Sequence, residues 1–264
     1  MFGRLTPMVK NILIINVVVY FLSSLIKIDV VDLLGLRYIF AESFRPFQLF
    51  SYMWMHGGFW HLFGNMFAVL IFGPMLEQIW GTKKFLAFYL ITGVGAGVLY
   101  ATINFYEVSQ VQNAVETYID NPDPEAFNYF ITEHAPRLYN RLFDFINEYA
   151  DQPDNAQYIS ESRAIASQIY EGKANVPMVG ASGAVFGILM AFAMMFPNME
   201  LMLLFPPIPI KAKYLVMFYG AYELYSEINR SAGDNVAHFA HLSGMLIAYL
   251  ILKYWQKNSG TYYS

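Results

Sequence analysis

No cysteine occurs anywhere in the 264-residue chain, which removes disulfides, thiol nucleophiles and cysteine-ligated metals together. Charge is scarce as well. Asp, Glu, Lys and Arg make up 14% of the residues, against about 25% in an ordinary soluble domain. The basic residues are scattered and the formal net charge is −4, so the clustered cationic surface that nucleic-acid binding needs is missing. No internal repeat or low-complexity tract stands out.

What remains is apolar. Hydrophobic residues reach 56% and the mean hydropathy is +0.37. A water-soluble domain of this size still needs a polar outside, and a lipid-facing outside removes that requirement. Apolar stretches of spanning length, or nearly so, fall at about 11–27, 60–80, 85–104, 179–197, 213–228 and 236–255, against a need of roughly 20 residues per helical span. The N-terminal run has the basic start of a signal peptide but no convincing small-residue cleavage site, and it reads as a retained first span. The fifth is the weakest, because Glu223 and Glu227 crowd its end. Every span must be helical, since an isolated strand would leave backbone groups unpaired in lipid. The expected fold is an all-α membrane protein, a six-transmembrane-helix bundle.

With the N-terminus in the cytoplasm, Arg4, Lys10, Lys83, Lys84, Lys211, Lys213, Lys253 and Lys257 all fall inside, against Glu77 and Glu200. The short loops then obey the positive-inside rule, with both termini cytoplasmic. Between the third and fourth spans, residues 105–175 hold 12 acidic and four basic residues. Phe105, Val108, Val111, Val115 and Tyr118 recur there at helical spacing, while Pro122, Pro124 and Pro153 punctuate the segment. A helical extramembrane insert on the outer face is expected. The chain divides on this reading into 1–104 with three spans, the insert at 105–175, and 176–264 with the last three. A solvated spacer and a lid or substrate-docking element both fit the insert.

Polar side chains within spans are expensive in lipid and are functional candidates by default. The second span opens HGGFWHLFGN, with His56, His61 and Asn65; the fourth begins GASGAVFG, with Ser182; the sixth contains AHFAHLSG, with His238 and His241. Taken singly, each has a plain structural reading. Ser182 lies beside the Gly183 and Gly187 pair, whose GxxxG spacing serves helix contact, and His61 and Asn65 stand one turn apart and can bond each other. Together they supply a nucleophile, a base for it and donors for an oxyanion, the Ser182 N–H among them. On the topology above all of them lie at similar depth below the outer surface. A zinc site of His56, His61, His238 and His241 lacks HExxH and nearby acidic ligands. The soluble-hydrolase GxSxG elbow is broken by Ala184. Ion transport wants buried mid-span carboxylates, and none is evident.

These three motifs, in this order and on these spans, resemble the rhomboid intramembrane serine proteases, and the resemblance covers all six spans. It implies Ser182 as nucleophile within Gly180-Ala181-Ser182-Gly183, and His241 as its base, with Gly244 three residues on and His238 fitting that role less well. It further implies His61 and Asn65 as oxyanion donors, His56 as a structural histidine, Phe186 stacked on the base, and Glu77 as a structural glutamate. Phe47-Gln48 stands where the family usually carries Trp-Arg, with Phe44-Arg45 slightly upstream. No third acidic member is evident, so a Ser–His dyad is expected. The implied activity is hydrolysis of transmembrane protein substrates within the bilayer, with no cofactor; a bacterial-type cell membrane is expected, since no organelle-targeting segment is visible. A catalytically silent relative that binds and escorts membrane clients is the alternative; such relatives characteristically lose the serine or histidine, and both are present here. Nothing in the sequence signals an oligomeric state.

Overall fold

A computed structural model describes residues 5–26, 29–202, 207–229 and 236–259. Arg4, and position 27 at the close of the first expected span, lie outside them. Eleven α-helices occupy the described residues. The first stretch holds α1 (Pro7–Leu25), α2 (Val30–Leu34), α3 (Gln48–Ser51) and α4 (Phe59–Trp80). They are followed by α5 (Thr82–Asp120), α6 (Pro124–His134), α7 (Tyr139–Asp151) and α8 (Ala156–Ala174). The chain ends with α9 (Ser182–Met195), the antiparallel strands β1 (Glu200–Met202) and β2 (Pro209–Lys211), α10 (Ala212–Ile228) and α11 (His238–Ser259).

A helix thus lies on each of the six apolar stretches. Of these, α1, α4 and α5 are long and apolar enough to cross a membrane by length and composition, while α9 is apolar but only 14 residues long. The two ends of α1 and α4 show why they begin and stop where they do. Pro7 at the first turn of α1 gives up an N–H that has no intrahelical partner in any case. Gly81 closes α4 at φ 79°, a conformation that glycine adopts without a Cβ clash, and its N–H returns to the Glu77 carbonyl. Pro74 sits inside α4 and is buried; spanning helices tolerate such a residue where neighbouring groups satisfy the freed backbone.

The chain divides into two compact units. One comprises the described parts of 1–36, 45–101 and 177–264; the other comprises Arg37–Phe44 and Thr102–Val176. In the first, α11 packs mainly on α9, α4 on α1 and α9, and α10 on α11 and α9. Leu189, Ala193, Val216 and Met245 form a buried cluster where α9, α10 and α11 meet. Ile14, Val18, Phe21 and Leu25 on α1 face outward, which lipid allows and water penalises.

The second unit has a core of its own. Val111, Val115 and Tyr118 from the far half of α5 bury against Phe127, Phe130 and Ile131 of α6, Ile146 and Tyr149 of α7 and Ala166 of α8. The Tyr118 hydroxyl bonds Ser162 Oγ at 2.5 Å, so its polar end is satisfied inside the cluster. Asp123 caps α6 by accepting from the Ala126 N–H at 2.9 Å, and Asn155 caps α8 through the Gln157 N–H at 2.9 Å. The helix of the third expected span does not stop near residue 104 but runs on to Asp120. Nothing between the two positions breaks it; the first proline is Pro122.

Glu77, 3% exposed, ties α4 to the start of α1. Its carboxylate accepts from the Met8 N–H at 2.9 Å, the Val9 N–H at 2.9 Å and the Thr82 hydroxyl at 2.9 Å. It therefore satisfies first-turn N–H groups that would otherwise be orphaned and places a negative charge at the positive end of a helix. Replacing Glu77 by Ala should cost about 3 kcal/mol of stability, given the strength of charge-assisted bonds. Glu77→Gln should cost less. Unfolding of both variants in detergent, monitored by circular dichroism, checks the order.

Candidate active site

Ser182 is the first residue of α9. The earliest intrahelical bond there runs from the Val185 N–H to the Ala181 carbonyl at 3.0 Å, so the N–H groups of Ser182, Gly183 and Ala184 have no acceptor within the helix. His241 enters from α11, and its Nε2 lies 2.8 Å from Ser182 Oγ. Phe186, one turn along α9, stacks on the His241 ring with centroids 4.2 Å apart and planes 7° from parallel. The imidazole is thereby held on its face by an aromatic ring and at its tip by the serine.

Glycines set these distances. A methyl group on Gly183 would meet the Ala96 Cβ of α5 at 2.6 Å, and one on Gly187 would meet Thr92 at 2.9 Å. A methyl group on Gly244 would overlap the Gly183 carbonyl and backbone. Two helices therefore run past each other at main-chain contact, and that brings a side chain on each within hydrogen-bond reach.

The segment before Ser182 is fixed by Tyr52. Its carbonyl accepts from the Gly180 N–H at 3.0 Å, and its hydroxyl donates to the Gly93 carbonyl of α5 at 2.7 Å. The Tyr52 ring occupies the space beside Gly97 and is buried. Sequence reasoning did not single out Tyr52; its only signal was an aromatic residue shortly before the second span. Gln48 is wholly buried, donates to the Leu33 carbonyl at 3.1 Å and accepts from the Arg45 N–H at 3.3 Å. Phe47 is half exposed. Of the Phe47-Gln48 pair, the glutamine anchors this loop.

His61 reaches the same place from α4. A methyl group on Gly180 would stand 2.6 Å from His61 Nε2 and 3.6 Å from Ser182 Oγ. The imidazole and the serine hydroxyl thus flank one glycine, whose φ of 129° is itself unfavourable for any other residue. His56 packs edge-on against His61, with ring centroids 5.1 Å apart. Asn65, one turn along α4 from His61, is buried, and its Nδ2 has no hydrogen-bond partner among the described residues. A buried donor in that state costs about 1–3 kcal/mol and is accounted for if a ligand atom takes it.

Two expectations need correction. Neither an acidic partner for the dyad nor a buried carboxylate within a span was expected. Glu223 on α10 is a buried carboxylate beside His241. It is 5% exposed, and its Oε2 lies 2.9 Å from His241 Nδ1 and 2.5 Å from His238 Nδ1. Its place near the end of a short, charge-bearing helix concealed it, because a sequence does not say which way a carboxylate on such a helix points. The four histidines fall into two groups. His56 and His61 pair with each other, while Glu223, His238 and His241 form a separate cluster whose ligand atoms lie within 4.8 Å of one another. Donors sharing a tetrahedral zinc stand about 3.3 Å apart. The separations from Glu223 to the two histidines are shorter and are those of hydrogen bonds.

The arrangement can move a proton from Ser182 Oγ to His241 Nε2 while Oγ attacks an electrophile. Free N–H groups at the start of α9, His61 and Asn65 are available to charge developing on an acceptor oxygen. Gly180→Ala should lower the unfolding free energy by about 1–3 kcal/mol through backbone strain alone, with displacement of His61 adding to it. Gly64→Ala, also close to the site in sequence but with nothing within 4 Å of the added methyl group, should be neutral or mildly stabilising. Parallel thermal denaturation of the two variants tests the contrast.

The Rhomboid domain family model matches residues 43–111 and 159–257, more than half of the chain. The unmatched stretch between them, 112–158, falls within the second compact unit. RHOMBOID-like protein 5 of Arabidopsis thaliana is 40% identical over 59 residues, covering 22% of this chain and 19% of its own length. RHOMBOID-like protein 6, mitochondrial, from the same plant is 46% identical over 61 residues, covering 23% of this chain and 20% of its own. The chain thus spans about a fifth of the length of the curated relatives it matches.

Proposed function

The chain belongs to the rhomboid family and is a multi-pass membrane protein; from that premise we propose that it is an intramembrane serine endopeptidase, hydrolysing peptide bonds in or near the transmembrane segments of other membrane proteins. The observation that carries this reading is the 2.8 Å contact between His241 Nε2 and Ser182 Oγ at the start of an apolar helix. A serine beside a base is what acyl transfer needs, whereas helix packing alone asks only for small residues.

In the proposed reaction His241 Nε2 takes the Ser182 proton as Oγ forms a bond to the peptide carbonyl carbon. The resulting oxyanion is received by His61, Asn65 and the Ser182 N–H. His241 then protonates the leaving amine as the C–N bond breaks, and water releases the acyl group from Ser182 by the reverse sequence.

Six helices, α1, α4, α5, α9, α10 and α11, cross the bilayer on this reading, with both termini cytoplasmic. A helix of 14 residues such as α9 is about 21 Å long, shorter than a hydrocarbon core of about 30 Å. With its far end at the inner surface, Ser182 lies below the outer surface, and the water that hydrolysis needs reaches it from the outer side. Tyr219, Tyr222 and Tyr225 of α10 are exposed and offer a flank past which a substrate helix can approach. That helix must unwind locally to present a carbonyl to Ser182, so small or helix-breaking residues near the scissile bond favour cleavage.

The test compares wild type with Ser182→Ala and His241→Ala on single-span substrates in liposomes, scored by product bands. Wild type should cut, both variants should lose nearly all turnover while remaining folded, and Asn65→Ala should lose on the order of a hundredfold. Cleavage surviving in Ser182→Ala would sink the assignment. Binding of substrates without cleavage by wild type would put the client-escorting reading in its place.

A further inference from the structure

Glu223 has no task in the reaction above, yet it is a carboxylate on a membrane helix, 5% exposed, with its Oε2 between two imidazoles. Isolated in such a place it would be costly, so the fold has to hold it with partners. A carboxylate only accepts hydrogen bonds. With Glu223 ionised, His241 must therefore carry its neutral-state proton on Nδ1, facing Oε2 at 2.9 Å, and present a bare lone pair at Nε2, facing Ser182 Oγ at 2.8 Å. The opposite tautomer would point a proton at the serine and a lone pair at the carboxylate, and it could not act as a base.

Resting on the serine-protease reading, we propose that Glu223 is a positioning residue that fixes the reactive tautomer of His241 and balances the positive charge arising there when Ser182 gives up its proton. His238 serves the same device one step out. Its Nδ1 donates to the same oxygen at 2.5 Å, so the carboxylate is anchored from one side while it holds His241 on the other. The chain is Ser182, His241, Glu223, His238, contributed by α9, α11, α10 and α11 again. No bond in it is made or broken beyond the proton passing from Ser182 Oγ to His241 Nε2 and back out to the leaving amine.

Among the described residues, few groups face His241. Glu223 approaches from α10, His238 from its own helix, His61 from α4 near enough for electrostatic interaction, and Ser182 and Phe186 from α9. Glu223→Gln keeps the volume and removes the charge, so the imidazolium loses its counter-ion and His241 gives up its proton more readily. The acid limb of the rate then moves to lower pH. His238→Ala removes a hydrogen bond that disperses the carboxylate's charge, so the attraction of Glu223 for the imidazolium grows and the limb moves to higher pH. His61 is unchanged in both and contributes equally.

The experiment measures the rate of covalent labelling of Ser182 by a fluorophosphonate probe against pH, in detergent-purified full-length protein, with Ser182→Ala as control. The expected result is a fall on the order of ten-thousandfold for Glu223→Gln, by analogy with loss of a tautomer-fixing carboxylate, together with limbs displaced in opposite directions for the two variants. Glu223→Asp should restore part of the rate. A merely structural carboxylate would change the labelled fraction and the melting temperature without moving either limb. If Glu223→Gln does not fold, the direction of the His238→Ala limb decides alone. Wild-type rate and limb in Glu223→Gln, with Ser182→Ala unlabelled, would overturn the proposal and leave the nucleophile standing. Equal labelling of Ser182→Ala and wild type would bring down the underlying reading, and this one with it.

Discussion

A methyl group on Gly244 would overlap the main chain of Gly183, and the geometry of the site follows from that contact. Where α9 and α11 touch backbone to backbone, side chains flanking the contact are brought to hydrogen-bond distance. Ser182 precedes Gly183 by one residue, and His241 precedes Gly244 by three, almost one turn. The same approach lets Phe186 lie flat on the imidazole. In lipid there is no hydrophobic drive to press helices together, and close packing of small residues is what remains to do it. The second glycine stripe, Gly183 and Gly187 against Ala96 and Thr92, seats α9 on α5 and fixes it from the other side.

Several polar groups in this bundle are held in connected sets, which lowers their cost where water is scarce. Glu77 collects two main-chain N–H groups and a hydroxyl. Tyr52 joins the loop before α4 to the segment before α9 through Gly180, and to α5 through Gly93. Glu223 gathers two histidines. Asn65 is one of several buried groups without a hydrogen-bond partner among the described residues; His56, Trp80, Tyr89 and Ser243 are others in the same unit. Asn65 lies one turn from His61, whose ring shares Gly180 with Ser182.

Much of the fold was legible because lipid narrows the choices. A long apolar run can only be a helix there, so the positions of α1, α4, α5, α9, α10 and α11 could be read from hydropathy. Their ends could not. α5 runs to Asp120 because amphipathic spacing, Val108 to Tyr118, takes over from apolar composition without a break, and hydropathy sees that change as the end of a span. Gln48 illustrates a different difficulty. A glutamine before a span looks like ordinary loop polarity until burial shows it bonding two main-chain groups.

Sequence by itself determined the local chemistry: Ser182 among small residues, His61 and Asn65 one turn apart, and the Gly244 that follows His241. Such features are encoded in short windows, because helical periodicity fixes which neighbours share a face. The tertiary structure alone decided where α10 points Glu223. A helix of 17 residues with charge near its end can be rotated to send that charge to solvent or inward, and its own sequence is compatible with both. Packing against α9 and α11 chooses the inward rotation, since only there do two imidazole N–H groups meet the carboxylate. The residues were readable one helix at a time, but the contacts that link Ser182, His241 and Glu223 are a property of three helices packed together.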